Sequence, residues 1–386
     1  MSRLRKVVVS LFAVLMILGC PQIAQLNSAF AAELTDLKAV EISYQASLTP
    51  SFDSKITSYT LNVQDDIFGV NLTPTATAGS TITINGKSVD SGKTLMIELT
   101  QAEEAFGLDY SVKAEIVVKD KNDSKTYTID IVRKNAKDTY ALFKELNYFD
   151  PVSRIVVPYE LYVPKNYNPA KKYPIIFALH GSGARGLELA SIIKRNKMAT
   201  IWAEDSEAGI NECIVLAPQC QTTNNLTNWT TLQAYQNKNI DNPYAATIWL
   251  DAAYRLLEDT ISKYSVDQKK VYATGLSAGG FASFAIAIQH PDRFAAIVPI
   301  CGGADTAKVS ALKDKVAIWI VQAVDDPLVK VEEFYYPTVA ALDKAGVKYK
   351  TTLYPAGKVF FPLAHWSWTP GYANKELRDW LFAQSK

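Results

Sequence analysis

A chain of 386 residues that is 48% hydrophobic and 20% charged has the composition of packed globular protein, with room for two or three domains. Its 18 Gly and 17 Pro exclude collagen-like and low-complexity sequence, and its four Cys exclude a disulfide scaffold. Forty Lys and Arg against 39 Asp and Glu leave a net charge of +1, so the total gives no footprint for nucleic acid or an acidic membrane surface, and a small neutral partner fits better.

Residues 2–6 (SRLRK) are basic, residues 7–19 (VVVSLFAVLMILG) are mostly apolar, and Ala29-Phe30-Ala31 has the small residues of a cleavage site. Thirteen residues rise about 20 Å as a helix, short of the ~30 Å hydrocarbon core, so the pattern predicts a signal peptide removed after Ala31 and a secreted protein. Ile17-Leu18-Gly19-Cys20 also resembles the bacterial lipoprotein box, in which Cys20 would be lipidated and the protein anchored at the cell surface. No later run reaches 18 apolar residues, so no membrane span is expected. Cys213, Cys220 and Cys301 remain after cleavage, and one bridge plus a thiol or three thiols are both open. No CxxC or Cys/His pair suggests a metal, and no cofactor is expected.

From residue 34 to about 134 the chain is rich in Thr, Ser, Val and Ile and alternates with period two, as in Tyr59-Thr60-Leu61-Asn62-Val63. A strand at 81–84 followed by Asn85-Gly86 is a type I′ hairpin signal. About seven short strands predict a small all-β sandwich over residues 32–135. No Trp or His falls in it, so a structural or adhesive role is expected. The order "LTPSFDSKITSYTLNV", "TITINGKSVDSGKT", "KTYTIDIVRK" resembles the bacterial cadherin-like, immunoglobulin-like module. That resemblance implies placement of an attached domain or oligomer contact. Polar residues 135–139 (NAKDT) read as the linker.

Apolar runs at 174–179, 213–217, 271–275, 295–301 and 316–323 then read as buried parallel strands, with a helical pattern at 244–264. Strands alternating with helices over residues 140–386 predict a doubly wound α/β domain.

Gly275-Leu276-Ser277-Ala278-Gly279 stands between a strand and a helix, which is the context of a nucleophile elbow. A serine hydroxyl needs a base, and the chain has three His. His290 ends a helix and His180 directly follows a strand, which leaves His365, in an aromatic loop after the strand at 348–354, as the candidate base. The acid in such a fold falls between Ser and His in the chain. Asp326, in the loop after the strand at 316–323, is chosen, with Asp325 and Asp305 as alternatives. Ala278, after the nucleophile, and Ser182, in His180-Gly181-Ser182-Gly183, are assigned as oxyanion donors, with Gly181 and Gly183 as alternatives and His180 as a brace. Segments 187–211 and 221–241 are expected to line a cleft, with Trp229, Trp366 and Trp368 as walls.

With these pieces placed, the C-terminal domain resembles secreted α/β-hydrolase esterases of the phospholipase/carboxylesterase and polyhydroxybutyrate-depolymerase-like groups, often labelled predicted peptidases. "YPIIFALHGSGARG", "VLAPQC", "VYATGLSAGGFASFAIAIQHPDRFAAIVPICGGAD", "DDPLVKVEE" and "HWSWTPGYANKELRDWL" carry it. The resemblance implies an α/β-hydrolase sheet with Ser277, Asp326 and His365 at the triad positions. Gln322-Ala323 stands where relatives have His-Gly before the acid loop, so the pocket shape there departs from theirs. Ester hydrolysis through an acyl-serine is the expected activity. The alternatives are a serine peptidase or polymer-ester depolymerase, and a non-catalytic surface binding protein. Oligomer contact through the sandwich is the remaining partner expectation. Every candidate catalytic residue lies after position 179, so the sandwich is expected to be dispensable for the chemistry.

Overall fold

Period-two alternation over residues 34–134 folds as two packed sheets. The structure is a computed structural model that describes residues 32–386 except 42–44, 47, 65–66, 68, 100–108, 134–136, 223–227, 233–235, 237–240 and 360–362. The expected leader, its cleavage site and Cys20 lie outside the described residues. Strands β1 (Leu34–Glu41), β2 (Gln45–Ala46), β4 (Gly69–Ala76) and β7 (Leu95–Glu98) form one sheet, in the order β2-β1-β4-β7. The other has the order β3-β9-β8-β5-β6, from β3 (Ser58–Val63), β5 (Thr81–Ile84), β6 (Lys87–Val89), β8 (Tyr110–Lys119) and β9 (Ser124–Arg133). Nine strands are thus present among the described residues where the sequence reading expected about seven. Tyr127, Ile129 and Ile131 of β9 point inward with Leu61, Leu72, Ile84 and Ile116. Asn85 at φ 49° and Gly86 at φ 77° turn β5 into β6, as a type I′ turn requires.

A short helix, α1 (Lys137–Tyr140), overlaps the stretch read as linker and runs one residue beyond it. The C-terminal sheet then runs β10 (Phe143–Phe149), β11 (Val156–Tyr162), β12 (Tyr173–Leu179), β13 (Ile214–Pro218), β14 (Val266–Leu276), β15 (Ala296–Ile300), β16 (Ala317–Ala323) and β17 (Lys350–Tyr354). Its spatial order is β10-β11-β13-β12-β14-β15-β16-β17, antiparallel at the β10 end and parallel from β13 onward. Every residue of β15 is buried, because helices cover both faces and leave no position for a polar side chain.

The helices are α2 (Ser191–Lys194), α3 (Thr200–Glu207), α4 (Ile248–Lys263), α5 (Ala278–Gln289), α6 (Tyr336–Ala345), α7 (Trp368–Ala373) and α8 (Lys375–Phe382). α4 begins later than its apolar pattern because the Thr247 side chain caps it, accepting the Trp249 N–H at 3.2 Å. On one face α4 and α5 pack Leu250, Leu256, Phe281 and Phe284 onto the sheet, and on the other α3, α7 and α8 pack Trp202, Tyr372 and Leu381. The sandwich reaches this domain through Met96 of β7, which packs against Ala323, Val359 and Ala364.

The register levels the carboxyl ends that matter. Leu179 stands beside Gly275, Leu276 beside Ile300, and Ile300 beside Val321. Residues following β12, β14, β15 and β16 therefore emerge along one edge of the sheet, where open α/β sheets hold ligands.

Candidate active site

Ser277 occupies a sharp turn between β14 and α5, at φ 53° and ψ −120°, a backbone state that costs a non-glycine residue energy. The turn is tight enough that neighbouring positions admit no side chain. A Cβ on Gly275 would lie 2.4 Å from the Gly279 carbonyl oxygen. The Ser277 N–H donates to the Ile300 carbonyl at 2.9 Å and to Cys301 Sγ at 3.2 Å. These contacts fix a half-buried hydroxyl at the edge of a pocket.

The structure brings Ser277, Asp326 and His365 together. His365 Nε2 lies 3.0 Å from Ser277 Oγ, and His365 Nδ1 lies 2.7 Å from Asp326 Oδ2. The other carboxylate oxygen, Asp326 Oδ1, accepts the Leu328 N–H at 2.8 Å and the Val329 N–H at 2.9 Å, so both oxygens of this buried acid are engaged. Asp325 faces away, accepting the Gly357 N–H at 2.8 Å, and Asp305 pairs with Lys308. Burial pulls the pKa of His365 down, but contacts with Cys301 and Asp326 outweigh that pull and hold it above the ordinary imidazole value.

The segment after β12 is braced from behind. The Cys220 N–H donates to His180 Nε2 at 2.9 Å, which leaves His180 Nδ1 to donate to the Gly181 carbonyl at 2.7 Å. Burial pulls this imidazole down to about 4, against the upward effect of its Gly181 hydrogen bond, so it stays neutral at pH 7. Asn228 donates to the Ser182 hydroxyl at 2.8 Å, which fixes the next residue along. Ala278 is the first residue of α5, and its amide has no acceptor within the helix.

Trp229 departs from its expected place. It is fully buried and lies outside the pocket lining, with its indole N–H donating to the His180 carbonyl at 2.9 Å and its ring packed on the imidazole at 4.9 Å. It supports the loop; it is not a wall. A long-range acceptor, which a sequence does not display, decided its orientation.

The pocket, of about 360 Å³, is lined by Gly181 to Ala184, by Ser277 and His365, and by apolar Leu276, Leu328, Trp366 and Trp368. Arg195 and Asn196 come from the segment expected to line the cleft. Trp368 meets His365 edge-on at 5.2 Å. His290 is remote from the pocket lining, stacked on Tyr254 at 3.6 Å. All three described cysteines are buried free thiols, so the bridge alternative is not the one formed. Cys301 is the residue that sequence reasoning missed at the site. Its place directly after the strand neighbouring the nucleophile strand was the available signal.

Comparison with known proteins follows this division. Residues 34–134 match the family model described as a cadherin-like beta sandwich domain, and residues 157–337 match the one described as a putative esterase. A solved structure of a thermostable esterase is similar over 85% of this chain and 99% of its own, at 27% identity and a TM-score of 0.61. The probable feruloyl esterase C of Aspergillus oryzae is 28% identical over 170 residues, which cover 44% of this chain and 55% of the relative. The poly(3-hydroxyalkanoate) depolymerase C of Paucimonas lemoignei is 41% identical over 49 residues, which cover 13% of this chain and 12% of that one. The chain spans about half the length of the feruloyl esterases it matches. Among the described residues no helix is long and apolar enough to cross a membrane.

Proposed function

We propose that this chain, a cadherin-like sandwich joined to an α/β-hydrolase domain of the esterase type, is an exported serine esterase that cleaves carboxylic esters through an acyl-Ser277 intermediate. One observation carries the reading: an unbroken hydrogen-bond chain runs from Asp326 through His365 to Ser277, at 2.7 and 3.0 Å, beside a pocket.

In this reading His365 Nε2 takes the proton from Ser277 Oγ as the oxygen attacks the ester carbonyl carbon. Asp326 holds the ring in the tautomer with Nε2 free and stabilises the imidazolium. The carbonyl oxygen, now an anion, is received by the backbone N–H groups of Ala278 and Ser182, with the N-terminal end of α5 adding its partial positive charge. His365 returns the proton to the leaving alkoxide, which departs as the alcohol. Water, activated by the same imidazole, then releases the carboxylic acid and restores Ser277. Ester and water become acid and alcohol, with no step assigned to a metal or a nucleotide.

The apolar wall of Leu328, Trp366 and Trp368 supports an apolar or aromatic acyl group. Export rests on the basic, apolar and small-residue order of residues 2–31. Intact mass of the chain purified from an export-competent bacterium separates a terminus at Ala32 from a lipidated Cys20. The activity is tested by measuring kcat/KM over graded p-nitrophenyl esters, a feruloyl ester, an acetylated sugar and a peptide p-nitroanilide. Ester turnover with negligible amide turnover is expected. Cleavage of the amide alone would replace the esterase reading with a peptidase.

A further inference from the structure

The order of the sheet places one residue between the nucleophile and the acid. β15 lies between β14, which ends at the nucleophile turn, and β16, which leads to the acid loop. Leu276 is paired with Ile300 and Ile300 with Val321. The next residue beyond β15 is Cys301, level with Ser277 on one side, and its N–H donates to the Val321 carbonyl on the other at 2.8 Å.

At that position the backbone is left-handed, with φ 41°, as it is at Ser277 with φ 53°. Two non-glycine residues in this region on adjacent strands are costly, and such strain persists where surrounding structure imposes it. The Cys301 thiol is fully buried and meets both halves of the site. Its sulfur accepts the Ser277 N–H at 3.2 Å and lies close to the His365 ring, whose two nitrogens are engaged by Asp326 and Ser277. The sulfur, a carboxylate oxygen of Asp326 and a ring nitrogen of His365 all lie within 4.8 Å of one another. A thiol can both accept and donate weakly, and a small apolar side chain in its place would do neither.

We propose that Cys301 is a positioning residue of the catalytic centre, its sulfur tying the backbone of Ser277 to the Asp326–His365 pair. The inference rests on the esterase reading above. Cys301 touches no reacting atom. It acts by holding the nucleophile turn and the base in one register, where a small displacement is expensive in rate. The titratable and charged groups around His365 are Asp326 from the loop after β16, Cys301 from the end of β15, Ser277 from the turn and, lining the same pocket, Arg195. Because the Cys301 contact favours the protonated imidazole, its loss moves the base's titration to lower pH.

The experiment measures kcat, KM, the acid limb of kcat/KM and Tm for the full chain, Cys301→Ala, Cys301→Ser and Cys213→Ala. Cys213 is equally buried but hydrogen-bonds the Trp202 carbonyl, away from the pocket lining, and serves as the control for losing a buried thiol. Cys301→Ala is expected to lower kcat roughly ten- to a hundredfold, leave KM within about twofold and shift the acid limb down. Cys301→Ser, which keeps an acceptor and a donor, recovers much of kcat, and Cys213→Ala changes neither kcat nor the limb. Unchanged kcat and limb in a folded Cys301→Ala protein overturn the proposal, as does a kcat loss in Cys213→Ala equal to its own. If Cys301→Ala does not fold, Cys301→Gly decides, since the positive φ favours glycine and the sulfur is removed: a lowered kcat with the limb shifted down supports the role, and an unchanged kcat and limb overturn it. A wild-type chain that neither hydrolyses esters nor reacts with a fluorophosphonate fails the esterase reading, and the proposal falls with it.

Discussion

A Cβ placed on Gly279 would stand 1.8 Å from the carbonyl oxygen of Leu179, where β12 ends beside the nucleophile turn. No rotation of neighbouring side chains relieves that overlap, because the obstacle is backbone. Gly279→Ala is therefore expected to cost more than about 4 kcal/mol, a drop in Tm of roughly 10 °C or more. Gly183, in the adjoining loop, meets nothing within 4 Å, so Gly183→Ala is expected to leave Tm within about 2 °C. Calorimetry on the two proteins checks the contrast, and equal effects would mean that the close approach at the turn is not what the glycine serves.

The two adjacent acids give a second contrast. Asp326→Asn is expected to lower kcat by about 10³ to 10⁴, since an amide presents the wrong partner to His365 Nδ1. Asp325→Asn, which disturbs only the contact with Gly357, is expected to cost far less. The pH profile adds a sign. Catalysis needs neutral His365, whose pKa is raised, so wild-type kcat/KM rises with pH through a value above the ordinary 6.5. Removing the negative charge of Asp326 moves that rise to lower pH. A reversed order of the two variants would move the acid by one residue.

Glu160 of β11 is 1% exposed, and its Oε2 has no hydrogen-bond partner among the described residues. Burial, assisted by Glu145, pushes its pKa up to about 7. A raised pKa means that the folded state binds the proton more tightly than the unfolded state does. The resulting stability is complete below the unfolded value and is lost as pH rises toward 7. Glu160→Gln is expected to be more stable than wild type at pH 8.5, by up to about 3 kcal/mol, and to lose that advantage at pH 4. Urea titrations at the two pH values test it, and a pH-independent difference would count against a buried ionising carboxylate. His180 contributes with the opposite sign, its lowered pKa costing stability as pH falls from 6.5 toward 4, so only the difference between variant and wild type is diagnostic.

A chain beginning at Lys137 retains every residue assigned to the chemistry but loses Met96, which packs against Ala323, Val359 and Ala364, the last adjacent to His365. Such a chain is expected to fold, to keep kcat/KM on a short-chain ester within about tenfold of the full chain, and to inactivate at lower temperature. Met96→Ser in the full chain is expected to shift the inactivation temperature in the same direction. A folded truncation with no activity would show that the sandwich completes the site.

Much of this site was legible because its chemistry constrains residue type and chain order. Ser277 is marked by flanking glycines that the turn requires, His365 by elimination among three histidines, and Asp326 by its place after a strong apolar strand. What stayed hidden depends on partners distant in sequence. Trp229 in a polar loop reads equally well as a pocket wall or a brace, and only the His180 carbonyl decides. Cys301 counted as one of three thiols, and its importance comes from the spatial order of β14, β15 and β16. Strand β10 escaped because Lys144, Glu145 and Asn147 interrupt any apolar run at the antiparallel edge of the sheet, and β11 because Pro158 and Glu160 interrupt its own. In the sandwich, alternation revealed the strands but not the parallel pairing of β3 with β9, which joins residues about seventy positions apart.

Whether Ser277 is the nucleophile of an ester hydrolase is read from one paired measurement on wild type and Ser277→Ala. Each protein is incubated with a fluorophosphonate, its intact mass is recorded, and its kcat/KM on a p-nitrophenyl ester is determined alongside its Tm. One phosphonyl adduct on Ser277 of the wild type is expected. The variant is expected to carry no adduct and to keep less than about a hundredth of the wild-type rate at an unchanged Tm. An adduct on another residue, or a Ser277→Ala protein that still turns over the ester at more than that rate, would contradict that role.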